Sequence, residues 1–170
     1  MRTDKGNAIK VTRRTERARR SPLAVDLKEQ VGFLLRKAYQ FNMAIWQSLC
    51  IDPQLTSVQT AVLAVLHDMG PCSLTTLGRE AAMDPATTRG VVDRLRERGL
   101  IVLLDDMTDR RKVIAQLVEP GRRLFENMIP ALAKISEQTM VRLNPAERVA
   151  LIFLLRKMAY GPDEEIAGKR

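Results

Sequence analysis

The sequence predicts a mainly helical chain with one small β-hairpin. Three observations favour this fold class. Apolar residues recur with helical spacing along most of the chain, capping residues and prolines divide that pattern into segments, and the runs LIVLLDD and VIAQLV after Gly99 are instead β-prone. A length of 170 residues, with 45% hydrophobic and 28% charged residues, is typical of one globular domain with a buried core.

Two helices are predicted in the N-terminal half. Apolar residues keep a helical period from 27 to 49, and Asp52, followed by a proline, ends the pattern. A second strip of apolar and aromatic residues lies beside the first, so we expect this helix to be contacted from two sides. Thr56 or Ser57 can cap the second helix, which ends before a Gly-Pro pair.

Two shorter helices follow, joined by a tight turn. Ser73 can cap a helix over 74–82, and Asp84, followed by a proline, opens a helix that ends before Gly99. The two β-prone runs then enclose the polar, glycine-free segment MTDRRK. This pattern predicts a hairpin with a basic tip.

The C-terminal part predicts two further helices. Apolar residues lie on one face of a segment that begins at Pro120 and reaches Leu143. Asn144, a proline and Glu147 then provide the cap, first-turn proline and third-position glutamate that open a last helix ending at Tyr160.

The charge balance favours a polyanionic partner. The chain carries 28 Lys and Arg against 20 Asp and Glu, a formal net charge of +8. Residues 1–21 hold eight of the basic and two of the acidic side chains, and this segment either tracks DNA phosphates or is a solvated tail. Only 4% of residues are aromatic, too few for the stacking surfaces of single-strand and RNA binders, so double-stranded DNA is the predicted partner.

The order helix, helix, short helix, turn, helix, hairpin is that of a winged helix-turn-helix. The helix after Asp84 buries its valines and a leucine and turns small and hydrogen-bonding residues outward, as entry into a major groove requires. Arginines at the hairpin tip suit an adjacent minor groove, whose negative potential attracts them. The predicted DNA-contacting residues are Thr87, Thr88, Arg89, Gly90 and Arg94 on the helix and Arg110, Arg111 and Lys112 on the wing.

A homodimer follows from the size of the recognition element. One recognition helix reads few base pairs, so specific binding needs two half-sites about 34 to 36 Å apart. The apolar faces of the first, fifth and sixth helices exceed what the central part can cover, and we expect them to join two copies. The predicted organisation is a flexible basic arm over 1–22, a single unit over 23–160 and a tail over 161–170, with dimerisation helices in 23–52 and 119–160 and the DNA-binding part in 53–118.

The segments DRLRERGLI and DRRKVIAQLVEPG resemble the end of the recognition helix and the wing of the MarR family, the multiple-antibiotic-resistance regulators, and the resemblance extends over 25–158. It implies a homodimeric bacterial transcription factor that binds a pseudo-palindromic operator, usually represses, and is released by a small molecule. By position, Arg111 would enter the minor groove, while Asp84 and Asp109 would brace the wing. Val118 stands where the family usually has threonine, so the side-chain cap of the next helix is expected to be lost or replaced.

Candidate effector-binding residues lie on the first two helices. Arg36, Tyr39, Met43 and Trp46 form a strip that combines a cation with flat apolar surface, and His67 can join it from the second helix. Such a strip suits an aromatic carboxylate or its CoA thioester, and the resemblance also implies phenolic or aromatic-acid effectors. The alternative is a structural role, because an aromatic strip at helical spacing is more often part of a core.

The sequence leaves alternatives to a ligand-responsive repressor open. Cys50 and Cys72 leave an oxidation-sensing repressor open, with Cys72 favoured because it precedes a helix. A nonspecific architectural DNA-binding protein and a protein-interaction module without DNA are further alternatives. With one histidine and no phosphate-binding glycine loop, metal-ligand cluster or nucleophile elbow, we expect no enzyme, no cofactor and no metal. The lack of a membrane-length apolar run or signal sequence predicts a cytoplasmic protein without a membrane partner.

Overall fold

The computed structural model describes residues 26–106, 109 and 112–161. The predicted arm 1–22 lies outside the described residues, as does all but the first residue of the predicted tail 161–170.

The fold is mainly helical with a small antiparallel sheet, which confirms the predicted fold class. The described residues divide into two compact units, with the boundary between residues 36 and 37. In chain order the helices and strands are α1 Val31–Leu49, α2 Ser57–Met69, β1 Cys72–Ser73, α3 Leu74–Glu80, α4 Pro85–Glu97, β2 Ile101–Asp105, β3 Val113–Leu117, α5 Glu119–Thr139 and α6 Pro145–Tyr160.

The described part of the first unit opens with a 3₁₀ turn, Leu27–Glu29. Asp26 caps this turn by accepting a hydrogen bond from the backbone N–H of Lys28. Gln30 then adopts an extended conformation, with φ −79° and ψ 124°, and α1 begins only at the next residue. The prediction of an uninterrupted helix from residue 27 is therefore wrong at its start.

Local capping accounts for the starts of α2 and α6. Thr56 and Gln59 form a capping box in which each side chain accepts the other residue's backbone N–H, at 3.2 and 2.8 Å. Asn144 and Glu147 form a second capping box in front of α6, with distances of 3.0 and 2.8 Å. Both boxes satisfy backbone donors that the first helical turn leaves without intrahelical partners.

The three strands lie in the order β1-β3-β2, and both pairs are antiparallel. The hairpin pairs Ile101 with Leu117 at one end and Asp105 with Val113 at the other. The strand β1, which pairs Cys72 with Ala115, was not predicted. Two residues are too few to show an alternating pattern, so this strand is defined only by its partner.

The core of the second unit lies between α2, α3, α4, the sheet and α5. Trp46 near the end of α1 joins it, and the indole N–H of Trp46 donates to the carbonyl oxygen of Leu55 at 3.4 Å. The core holds the winged helix-turn-helix elements together by burying apolar surface from segments far apart in the chain. Its largest fully buried side chains include Leu63, Leu66, Leu77, Leu95, Ile101 and Met128.

The start of α5 depends on a glycine. A Cβ at Gly121 would lie 2.1 Å from the carbonyl oxygen of Leu100, which also accepts the backbone N–H of Val118 at 3.3 Å. Only glycine permits this close backbone approach. Val118 provides no side-chain cap to α5, which confirms the expected loss of that cap.

The last helix, α6, has no buried residue in the single chain. Its exposed apolar side chains include Val149, Leu154 and Met158, which are 71%, 54% and 60% exposed. No described helix has the length and apolar character needed to span a bilayer.

Candidate nucleic-acid interface

The helix α4 has one buried side and one open side. Asp84 caps it, and Pro85 occupies the first helical position, where a missing N–H costs no hydrogen bond. Val91, Val92 and Leu95 are at most 2% exposed and anchor the helix in the core. The opposite side is therefore the one that can enter a groove of DNA.

Thr88 was predicted to contact DNA, and this prediction is wrong because the residue is buried. Its side chain is 1% exposed, and its hydroxyl donates to the carbonyl oxygen of Asp84 at 2.8 Å. A Cβ at Gly78 of α3 would lie 2.6 Å from Oγ1 of Thr88, so this threonine fills the junction between α3 and α4. It stabilises the helix-turn-helix and cannot reach a base.

Thr87, in contrast, is exposed and holds the carboxylate of Asp84 from two sides. The backbone N–H of Thr87 donates to Oδ1 at 2.9 Å, and its hydroxyl donates to Oδ2 at 2.6 Å. These two hydrogen bonds lower the pKa of Asp84, because they favour the ionised carboxyl. The two described hydrogen bonds of the Asp84 carboxylate are thus both donated by Thr87 in the first turn of α4, and its predicted bracing of Arg111 lies outside the described residues.

The open side of α4 carries two arginines available to an anion. Arg89 and Arg94 are exposed, and neither pairs with a carboxylate of the described residues. Gly90 leaves space on the same side: a Cβ there would find only Nη1 of Arg94 within 4 Å, at 3.5 Å. Arg96, by contrast, pairs with Asp93 at 3.2 Å.

The described part of the wing tip is held by aspartates. The backbone N–H of Asp109 donates to Oδ1 of Asp106 at 3.1 Å, and the backbone N–H of Lys112 donates to the carbonyl of Asp109 at 2.8 Å. The ammonium of Lys112 is exposed and lies 3.5 Å from Oδ2 of Asp109. Arg110 and Arg111, the predicted minor-groove residues, lie outside the described residues.

Comparison with known sequences agrees with the winged helix-turn-helix geometry of this site. The model of the MarR family matches residues 55–113. The HTH-type transcriptional repressor NicR of Pseudomonas putida is 53% identical over 133 residues, which cover 78% of this chain and 84% of NicR. This chain belongs to the MarR family. It is a DNA-binding transcriptional regulator, as the resemblance implied, and not an enzyme.

Solved MarR-type structures superpose on most of the chain. Bordetella bronchiseptica BpsR, whose structure concerns regulation of its DNA binding by 6-hydroxynicotinic acid, is 46% identical with a TM-score of 0.78, covering 82% of this chain and 99% of BpsR. The Streptomyces coelicolor regulator PcaV, in complex with its natural ligand, is 29% identical with a TM-score of 0.75, covering 80% of this chain and 96% of PcaV.

The structure does not bring the predicted effector strip together as one open surface. Trp46 is 7% exposed and belongs to the core, which is the structural role weighed against ligand binding. Met43 is half-buried and accepts a hydrogen bond from the hydroxyl of Ser57 through its sulfur at 3.6 Å. Tyr39 is 57% exposed, and Arg36, in the first unit, is also exposed.

His67 lies on α2 where α5 packs against it. Its ring centroid is 5.0 Å from that of Phe125, and its Nε2 is 3.7 Å from Oε1 of Glu126. Nδ1 lies 3.0 Å from Oδ1 of Asp68. The imidazole thus has a hydrogen-bond partner at Nδ1 and an aromatic neighbour in α5, which agrees with a structural role.

The surroundings of Cys72 do not favour a redox-sensing thiolate. Burial, and then the charge of Glu80, raise the pKa of Cys72, which opposes the thiolate that oxidation requires. Cys50 places its Sγ 3.2 Å from the carbonyl oxygen of Asp52. Burial and the nearby carboxylate therefore oppose the thiolate that the position of Cys72 before a helix would favour.

One interaction at the site was not predicted. Arg98, at the end of α4, pairs with the carboxylate of Asp52 and donates to the carbonyl oxygen of Gln54 at 3.3 Å. Both side chains of the ion pair are less than one quarter exposed. The contact joins residues 46 positions apart, so no local pattern in the sequence indicated it.

Proposed function

We propose that this MarR-family protein is a dimeric transcriptional repressor that binds a two-fold operator and is released by a small aromatic carboxylate. The observation that carries the DNA-binding mode is the open side of α4, where Thr87, Arg89 and Arg94 are exposed opposite a buried apolar side. Arginine forms bidentate hydrogen bonds with guanine or phosphate, so these residues suit a major groove. Gly90 allows close approach, and Arg110, Arg111 and Lys112 are proposed to contact the adjacent minor groove.

Dimerisation is supported by the apolar surface that one chain leaves uncovered. A helix with apolar residues on all sides is usually buried. The helix α6 is rich in apolar residues, yet none of its residues is buried in the single chain. Exposed apolar side chains along α1, including Val31 and Leu34 at 60% and 51%, are further candidates for the interface. A second copy that covers α6 would supply the second recognition helix that binding to two half-sites requires.

The effector class is inferred from the relatives. The DNA binding of BpsR, which is 46% identical, is regulated by 6-hydroxynicotinic acid, an aromatic acid. NicR, which is 53% identical, is a transcriptional repressor. We therefore propose a hydroxylated aromatic or pyridine carboxylate as the ligand, with exposed Arg36 as a partner for its carboxylate. The CoA thioester is the alternative. A ligand that moves the DNA-competent state from 99% to 1% needs about 5.5 kcal/mol of differential binding across the dimer.

The test is a fluorescence-anisotropy titration with the DNA upstream of the protein's own gene and with a shuffled duplex. We expect tight binding to the first duplex and weak binding to the second. The bound protein should be released by 6-hydroxynicotinic acid or a related acid, but not by neutral aromatic compounds that lack a carboxylate. Arg111→Ala should weaken specific binding. Equal, strongly salt-dependent binding to both duplexes would contradict the repressor and favour the architectural alternative.

A further inference from the structure

Thr87 stands at the start of α4, on the side that the core leaves open. Its hydroxyl lies 2.6 Å from Oδ2 of Asp84, and its backbone N–H donates to Oδ1 of the same carboxylate at 2.9 Å. The backbone hydrogen bond fixes the carboxylate of Asp84, and the hydroxyl hydrogen bond to that carboxylate orients the side chain of Thr87. The part of Thr87 that a base can meet is therefore set before DNA arrives.

The direction of the hydroxyl proton follows from the partner. An ionised carboxylate only accepts hydrogen bonds, so the proton between the two oxygens belongs to the threonine. The pKa of Asp84 is lowered by these same contacts with Thr87, which keeps the carboxyl ionised at neutral pH. Once its proton points to Asp84, the hydroxyl of Thr87 presents only lone pairs to any other group.

The surface beside Thr87 is bordered by a glycine and by the guanidinium of Arg94. Gly90, one turn further along, has no side chain, and nothing but the guanidinium of Arg94 would contact a Cβ at that position within 4 Å. On this side of α4 the hydroxyl of Thr87 is thus an acceptor, Gly90 adds no side chain, and the guanidinium of Arg94, which lies against Gly90, is a donor. In the major groove, exocyclic amino groups are the donors of bases, at N6 of adenine and N4 of cytosine.

We propose that Thr87 is a specificity-determining residue that accepts a hydrogen bond from an exocyclic amino group, adenine N6 or cytosine N4, and discriminates against guanine and thymine at that position. This inference rests on the proposed function, because it needs α4 in the major groove of an operator. Asp84 acts through Thr87 as a positioning residue that keeps the hydroxyl an acceptor.

The experiment selects bound duplexes from a random-sequence library with the full-length protein and three variants. Thr87→Val keeps the side-chain shape and removes the acceptor. Asp84→Asn keeps a helix-capping side chain, whose Oδ1 can still accept the backbone N–H while its amide N–H₂ donates to Thr87, releasing the threonine proton outward. Glu97→Gln is the matched control, since it removes one negative charge from the exposed side of α4 without contacting Thr87.

We expect the wild-type protein to enrich adenine or cytosine at one position of each half-site by about threefold to tenfold over guanine and thymine. Thr87→Val should lose that preference at that position alone, and Asp84→Asn should shift it towards guanine or thymine. Glu97→Gln should raise affinity for all duplexes and keep the motif. Single-position duplexes in the anisotropy assay give the ratios and distinguish adenine from cytosine.

Two results would overturn the proposal while leaving the repressor intact: an unchanged motif in Thr87→Val, or a wild-type motif in Asp84→Asn when circular dichroism shows both variants folded. A wild-type protein that enriches no motif would instead contradict the proposed function, and this inference with it.

Discussion

The guanidinium of Arg98 pairs with the carboxylate of Asp52 and thereby ties the loop after α1 to the C-terminal end of α4. The same arginine donates to the carbonyl of Gln54. Arg98 therefore contacts both a side chain and a backbone group of this loop. Because α4 is the helix proposed to read DNA, this pair contributes to the orientation in which the helix is presented.

Replacing Asp52 tests the pair. Burial raises the pKa of Asp52, but the hydrogen bonds from Arg98 and from the backbone N–H of Gln54, with the charge of Arg98, outweigh it and lower the pKa. We expect Asp52→Asn to reduce the free energy of unfolding by about 1–2 kcal/mol at pH 7, measured by urea denaturation. Asp93→Asn removes the carboxylate that pairs with Arg96. This ion pair is more exposed than that of Arg98 and Asp52, so its loss should cost less than about 1 kcal/mol.

The Asp52 prediction has a definite pH dependence. A carboxyl whose pKa is lower in the folded state stabilises the fold above its unfolded pKa of about 3.9, and that contribution is lost as the pH falls through the folded value. The difference between wild type and Asp52→Asn should therefore shrink below about pH 4. A difference that stays constant down to pH 2 would show that the ion pair does not account for the stability change.

Val118→Thr should stabilise the protein. The backbone of Val118 is extended, as a helix cap requires, yet its side chain accepts no hydrogen bond. A threonine hydroxyl there can accept the backbone N–H of Gly121, since Pro120 has none to offer, and should add about 1 kcal/mol to the free energy of unfolding. Val118→Ala, which provides no cap, should be less stable than wild type. A threonine variant no more stable than wild type would contradict this prediction.

Leu154→Glu tests the proposed dimer. A charge in the middle of the exposed apolar surface of α6 should raise the dimer dissociation constant by at least about tenfold, measured by analytical ultracentrifugation. Operator affinity should fall with it, because one recognition helix reads only a half-site. Leu154→Met, which keeps an apolar side chain, should remain dimeric. Unchanged association of the glutamate variant would exclude this part of α6 from the interface.

Peroxide treatment should leave operator binding unchanged at neutral pH. The pKa of Cys72 is raised by burial and then by the charge of Glu80, so its thiol stays protonated and reacts slowly. Anisotropy titrations before and after treatment measure the effect, with Cys72→Ser as the control. Loss of binding in the wild type that the serine variant prevents would restore the oxidation-sensing alternative.

Much of the fold could be predicted because its signals are local. The capping box of Asn144 and Glu147 joins residues three positions apart, and Asp84 followed by a proline starts the recognition helix by contacts within the same turn. The hairpin follows from two β-prone runs around a polar tip. Hydrogen bonds over so few residues form with little loss of chain entropy, so the sequence by itself determined where these elements begin and end.

Other features were decided only by the tertiary structure. Thr88 and Thr87 are neighbours of the same residue type, and only the packing of α4 against Gly78 of α3 buries one and leaves the other open. The strand β1 exists because Cys72 pairs with Ala115, and the burial of Trp46 depends on the loop around Leu55. These contacts join segments that are distant in sequence, and their free energy is gained only once the whole core has assembled, so no local pattern of residues encodes them.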